Sequence, residues 1–474
     1  MRTFYLKNTQ FYPITTVCLF SFLLSFLNVQ ISIFMGVFLS SWLTMRARPD
    51  GLLGLFLLYF SNSYFFGLGG SGQYRSELSL GSFPLKVETV MCGFIALRVI
   101  IEILCRPSTF KSKIPTSMLY LWLLCFIPVS IGFYLGFEFR NPNWTRGLRW
   151  LMISGSYFYG YILLKSVPPN FIHSGVKILV VTIIPMSVVM LFLMSINVYW
   201  SHHGFFFIGI GGAFSIYFMR NSAFLYFFLG FFLFSMVCII IVKTTITIIG
   251  IFFCSIFFSL IGSVKKVSLS SFSEKLSLYS GAIIVSLVIL FTSGTLYLGV
   301  QNLKQGTEIS TMVVNEDEGF QGRLENKIFS DRLPFWYAAF EQIISGPYVI
   351  VPSGRSLSIF GYSEDWVVGS HNTILEMLRL NGLVAGSFIL FIYFFALRNL
   401  LLVLGKSRER TLRTFAAGIL SIGIVGMTTG DFPADLTVGF WLWSIAGLCH
   451  GLFLNESIQQ RLDIRRSPNI LYVE

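Results

Sequence analysis

Charge is scarce in this chain. Asp, Glu, Lys and Arg make up only 12% of its 474 residues, about half of the roughly 25% usual for soluble domains. That shortage excludes an ordinary soluble domain, whose surface needs more charge. Apolar residues reach 54%, and the mean hydropathy is +0.73. Runs of about 20 apolar residues recur from end to end, each long enough to cross ~30 Å of hydrocarbon as a helix. The runs are continuous rather than alternating, so helices, not a closed barrel, satisfy the backbone. The expected fold class is an all-α polytopic membrane protein.

Signatures of soluble chemistry are missing too. No Gly-x-Ser-x-Gly elbow, phosphate-binding Gly-Lys loop signature or His-Glu-x-x-His helix occurs. The seven cysteines, Cys18, Cys92, Cys105, Cys125, Cys238, Cys254 and Cys449, sit in or beside apolar runs. They read as small packing residues. With no Cys-x-x-Cys, a disulfide or metal framework is not expected. Basic tracts with interleaved aromatics, which would stack bases, are also absent, so nucleic acid is not an expected partner. The net charge of +12 comes from short loops between apolar runs, as the positive-inside rule anticipates.

What is present is a series of about fourteen candidate spans. They run over 11–28, 30–45, 51–67, 85–104, 116–136, 147–165, 176–196, 204–219, 223–242, 244–262, 277–298, 373–397, 411–428 and 435–454. Very short connections join 204–219, 223–242 and 244–262; broken or re-entrant helices there would bring the total to about twelve. Met1 to Gln10 is short and basic and lacks a convincing cleavage site, so the first run is expected to be retained. The chain then divides into 1–300, with about eleven spans, a polar loop 301–372, about three more spans in 373–454, and a tail 455–474.

Loop charge sets the orientation. With the N-terminus inside, Arg46 and Arg48, Arg106 with Lys111 and Lys113, Lys165 and Lys177, and Lys265, Lys266 and Lys275 all fall inside. So do the dense Arg398–Arg413 group and Arg461, Arg465 and Arg466. The loop 301–372 then faces outward, and it holds nine of the chain's 22 carboxylates, unlike an inner loop. Within it, Leu333 to Ile344 predicts an amphipathic helix with Asp331 as N-cap and Pro334 in the first turn. Trp336, Tyr337, Tyr348, Tyr362 and Trp366 suit a headgroup layer and equally the faces of sugars. Asn315-Glu316-Asp317-Glu318 lacks the spacing of a calcium loop and reads as solvated acid.

Residues able to carry polar chemistry collect on that outer side. His371 opens an apolar helix at the end of the loop, where a neutral imidazole can take a proton near neutral pH. The other histidines are weaker: His202 and His203 in a short outer turn, His173 in an inner loop, and His450 near the last inner end. Arg332 begins the loop helix, a natural phosphate position, although exposed arginines also serve solvation. Arg355 sits on a turn of the same loop. Lys243, between two apolar runs, is either a snorkelling lysine or a cation facing the outer cavity. Arg146 and Arg149 are basic on the disfavoured outer side and suit an anionic ligand or a lipid headgroup. Arg98 and Glu102, four apart in one span, are expected to pair.

Three stretches together resemble the O-antigen polymerase and O-antigen ligase family. Asp331-Arg332-Leu333-Pro334-Phe335-Trp336, continuing to Ile344 and Pro347, is similar to the family's Arg-x-x-x-Trp helix and its following turn. Ser370-His371-Asn372-Thr373-Ile374-Leu375-Glu376, continuing to Gly382 and Gly386, resembles its His-Asn-x-x-Leu-Glu…Gly pattern. Lys243-Thr244-Thr245 lies where the family usually shows Ser-Arg. The likeness covers about Ile241 to Gly386 at motif level, and the rest of the chain by topology alone. Two departures stand out: lysine at 243, and Arg379 where an acid is common.

The resemblance implies a GT-C-like membrane enzyme with one large periplasmic loop containing short amphipathic helices, in the bacterial inner membrane. It implies an inverting, metal-independent glycosyl transfer with no cofactor. The donor would be an undecaprenyl-pyrophosphate-linked oligosaccharide, the acceptor a glycan, and further partners membrane lipid and a chain-length regulator protein. His371 would be the base. Arg332, Lys243 and Arg149 would hold the pyrophosphate, with Asn372, Arg146, Arg355, Trp336 and Glu376 in support. Metal-dependent lipid-linked glycosyltransferases place acids in the first outer loop, whereas Asn28-Val29-Gln30 has none. Within the family, a ligase acting on lipid A-core and a protein O-oligosaccharyltransferase share this chemistry; the long chain and extended loop favour a polymerase. A lipid-linked sugar flippase is the rival of another class. Transporters tend to show repeated halves, and none is found here.

Overall fold

The computed structural model describes residues 77–80, 83–107, 116–138, 144–163, 245–264, 332–344, 372–429 and 438–466, with single positions between 38 and 45 and at 213. The expected spans 11–28, 51–67, 176–196, 204–219, 223–242 and 277–298, and most of 30–45, lie outside these residues. The described chain is helical except for one hairpin, which was not among the expected elements. In it, β1 (Glu77–Leu80) pairs antiparallel with β2 (Phe83–Lys86), Glu77 opposite Lys86 and Leu80 opposite Phe83. The helices are α1 (Val87–Cys105), α2 (Thr116–Leu124), α3 (Phe126–Glu138), α4 (Trp144–Ser154), α5 (Ser156–Leu163), α6 (Thr245–Val264), α7 (Arg332–Ile344), α8 (Thr373–Lys406), α9 (Arg410–Thr429) and α10 (Val438–Arg466).

Each apolar run that falls on described residues forms a helix close to its expected place. The pairs α2–α3 and α4–α5 are nearly continuous. Cys125 N donates to Leu121 O at 3.0 Å, and Gly155 N donates to Leu151 O at 3.2 Å. Two helical stretches, Thr373–Lys406 and Val438–Ile458, are long and apolar enough to cross a membrane. Arg98 and Glu102 pair as expected, at 3.1 Å, on α1. The five described cysteines are free thiols.

Two helices depart from expectation. The helix α10 continues past 454 to Arg466, because Glu456 is held at the α8–α9 turn. Its carboxylate accepts from Ser407 Oγ and Arg408 N, both at 2.7 Å. The helix α8 is not one straight span. Gly382 has φ 73 and ψ 168, a backbone region that only glycine occupies easily. The helix breaks there into a first limb, Thr373 to Asn381, and a second limb that starts after Gly382. The bend is sharp: a Cβ on Gly386 would lie 2.7 Å from Met377 O.

The core forms around the second limb of α8. α5 meets α10 where Ser156 Oγ donates to Phe440 O at 3.3 Å and where Tyr157 OH and His450 Nδ1 lie 2.6 Å apart. Contacts between α8 and α10 advance together along both helices, from the Tyr393–Trp443 ring contact at 5.4 Å to Ser407–Glu456. So α10 and the second limb of α8 run parallel, while α9 returns antiparallel after a short turn. The α5–α10 crossing is backbone to backbone. A Cβ on Gly160 would lie 1.9 Å from Ser444 O, and one on Gly447 the same distance from Tyr157 O. On the other side, Trp122 of α2 packs where Gly155 leaves room and donates to Leu151 O at 3.0 Å.

The outward faces are apolar as well. Tyr120, Leu124, Ile127, Ile131 and Tyr134 form an exposed stripe along α2–α3 at helical spacing. Phe253, Phe257 and Ile261 do the same on α6, and Val384, Phe391, Phe394 and Leu401 on α8. A helix in water normally turns charge outward.

Candidate functional site

The first limb of α8 is the centre of the candidate site. Asn372 caps it: φ is −135, and its Oδ1 accepts from Ile374 N at 3.0 Å and Leu375 N at 3.2 Å. Asparagine is a strong N-cap because its side-chain oxygen satisfies orphan amides. That oxygen is therefore committed to the helix start. Thr373 Oγ1 donates to Gly426 O at 3.0 Å and ties the limb to α9.

Glu376 and Arg379 lie one turn further on, both side chains 0% exposed. Arg379 grips the carboxylate twice, Nη2 to Oε1 at 2.6 Å and Nε to Oε2 at 3.2 Å. A buried carboxylate without a partner is costly, and Arg379 supplies the counter-ion for Glu376. Arg379 Nη1 also reaches Gln342 Oε1 of α7 at 3.4 Å. Asn381 Nδ2 closes onto Met377 O at 3.0 Å just before the bend.

The loop helix α7 forms as expected and lies against α8 through one face. Ala339 and Ile343 are buried on that face, while Tyr337, Phe340 and Ile344 are exposed. Trp336 is half-buried there, and its indole Nε1 is shielded with no hydrogen-bond acceptor.

Three of the sequence candidates therefore have described side chains: Asn372 and Glu376 on the first limb, and Trp336 on α7. Arg332 is the first residue of α7, and Arg146 and Arg149 lie in α4, which packs on α8. His371 immediately precedes the Asn372 cap in the chain but lies outside the described residues, as do Lys243 and Arg355. Lys243 stands two residues before α6, which packs on α9 and α8. A Cβ on Gly250 of α6 would lie 3.1 Å from Val425, and Thr373 bonds Gly426. The first turns of α6 and of α8 thus meet the same end of α9. Every element that carries or adjoins a candidate residue, apart from Arg355, packs on α8. Among the described residues, no cluster of metal-ligating side chains is found.

One buried polar cluster was not anticipated. Tyr157 OH, Asn399 Nδ2 and His450 Nδ1 meet within 2.6 to 3.3 Å, with Phe395 edge-on to the imidazole. His450 sits inside the α5–α8–α10 core, 6% exposed, and not near the end of its helix. Asn399 and His450 are polar residues within apolar runs, which is the signal that could have found them. No family model, curated protein or solved structure matches this chain.

Proposed function

We propose that the chain is a multi-pass inner-membrane glycosyltransferase that polymerises a lipid-linked surface polysaccharide on the outer face. The observation that carries this reading is the convergence on α8: α7, headed by Arg332, is docked on the limb that follows His371-Asn372, at the end of α9 where α6 begins. Apolar outward stripes on α2–α3, α6 and α8 suit lipid, and the parallel sense of α8 and α10 fits the orientation set by loop charge.

In the proposed step, an acceptor sugar hydroxyl attacks the anomeric carbon of the undecaprenyl-pyrophosphate-linked glycan. His371 takes the hydroxyl proton, the new C–O bond forms as the sugar–phosphate bond breaks, and undecaprenyl pyrophosphate leaves with its electron pair. Arg332, Lys243 and Arg149 counter the charge on the leaving group. A positioned base contributes about 10² to 10⁴ in rate, and fixed cations in a dry site a comparable factor. The Asn372 cap fixes the backbone next to His371. Trp336 offers an aromatic face to a sugar.

The test is His371→Ala in cells, read on silver-stained lipopolysaccharide. Chain-length laddering should vanish while the protein still inserts; an unchanged ladder would sink the assignment. In a null strain, single-repeat caps mark a polymerase, whereas loss of all caps with lipid-linked polymer accumulating marks a ligase.

A further inference from the structure

We infer that Arg379 is a positioning residue that latches α7 onto the first limb of α8, and so sets where the Arg332 end of α7 stands relative to His371-Asn372. The functional half of this inference rests on the proposed glycosyl transfer; the latch itself does not. Arg379 is fully buried, and its planar guanidinium is clamped by two contacts to Glu376. A fork held in this way cannot swing, so its Nη1 is directed at Gln342 Oε1 in the last turn of α7. Gln342 lies on the same face of α7 as Ala339 and Ile343, which are buried. The residues that would do the chemistry are thus held by a pair that touches neither donor nor acceptor. A lysine at 379 would keep the charge but could not serve Glu376 and Gln342 together.

The experiment uses the full chain in lipid nanodiscs. Hydrogen exchange of α7 peptides reads the latch, and turnover of a lipid-linked oligosaccharide donor reads its consequence. Gln342→Leu keeps the shape and removes the acceptor; Gln342→Glu keeps an acceptor for the same guanidinium. Gln342→Leu and Arg379→Lys should speed exchange of α7 amides about tenfold, the size expected for one hydrogen bond to a charged group. Donor KM should rise about threefold or more with kcat nearly kept, since leaving-group binding is what shifts. Gln342→Glu should preserve both. Unchanged α7 exchange in Gln342→Leu would overturn the latch, and faster exchange with unchanged KM would overturn the positioning role. Freed α7 in Gln342→Leu together with intact transfer in His371→Ala would remove the proposed reaction and leave the latch standing.

Discussion

Replacing Gly447 with alanine should push α10 away from α5. The added Cβ would lie 1.9 Å from Tyr157 O, where real Cβ atoms essentially never come under 3.0 Å. One methyl group therefore demands about 1.1 Å of separation between the two helices. The obstacle is backbone, so no rotamer change relieves it. Overpacking of this kind costs ~1–3 kcal/mol. The same displacement stretches the 3.3 Å bond from Ser156 Oγ to Phe440 O and the 2.6 Å contact between Tyr157 and His450. Ser156 keeps Ile153 O and Tyr157 keeps Asn399 as partners, so at most the His450 imidazole loses its match; one such group adds ~1–3 kcal/mol, which gives about 2–6 kcal/mol in all. The assay is thermal unfolding of the purified protein in detergent, with Gly405→Ala as control. A Cβ there meets nothing within 4 Å, and alanine inside a helix should stabilise by ~0.5–1 kcal/mol. The two variants should move in opposite directions. If Gly447→Ala melts no lower than Gly405→Ala, the backbone-to-backbone crossing is wrong.

Other substitutions test the first limb of α8. Asn372→Ala should cost about 0.5–2 kcal/mol through the lost cap, and Asn372→Asp should retain it, read by the same melts. Gly382→Ala puts a side chain on φ 73 and should cost ~1–3 kcal/mol, seen as a smaller monodisperse fraction in size-exclusion chromatography. Glu376→Leu alone strands a buried arginine and should cost ~3–5 kcal/mol, while Glu376→Leu with Arg379→Met should recover most of the loss. A double variant as unstable as the single one would show that the pair is not the reason.

The places of the helices were legible because a long apolar run has one local solution, and that solution does not depend on its neighbours. The Arg98–Glu102 pair was legible for the same reason, since four residues on one helix face fix the contact. The Glu376–Arg379 pair, three apart, carried an equal signal but stood out only as a departure from a motif. The bend at Gly382 was not legible. A glycine in an apolar run fits a straight helix as well as a broken one, so the run alone does not choose between them. The reach from Arg379 to Gln342 crosses 37 positions of sequence, a separation that no periodicity encodes. The Tyr157–Asn399–His450 cluster depends on which three helices become neighbours. The hairpin β1–β2 was legible but passed over: Glu77-Leu78-Ser79-Leu80 alternates, and Gly81-Ser82 is a two-residue turn pair.

His371 stands immediately before the Asn372 cap of α8, and the two limbs of that helix are anchored differently. Between helices in lipid there is no hydrophobic drive, so close glycine contacts and buried hydrogen bonds decide how helices sit. The second limb of α8 is held in this way by α5, α9 and α10. The first limb leaves that core at Gly382 and has different anchors, Thr373 on α9 and Arg379 with Gln342 on α7. A change at Gly447 therefore reaches the proposed base only by tilting the second limb about the bend, whereas a change at Arg379 or Gln342 acts on the first limb directly. Stability and transfer should thus be separable: Gly447→Ala lowers both together, and Gln342→Leu weakens donor binding in a protein whose core still melts at the parental temperature.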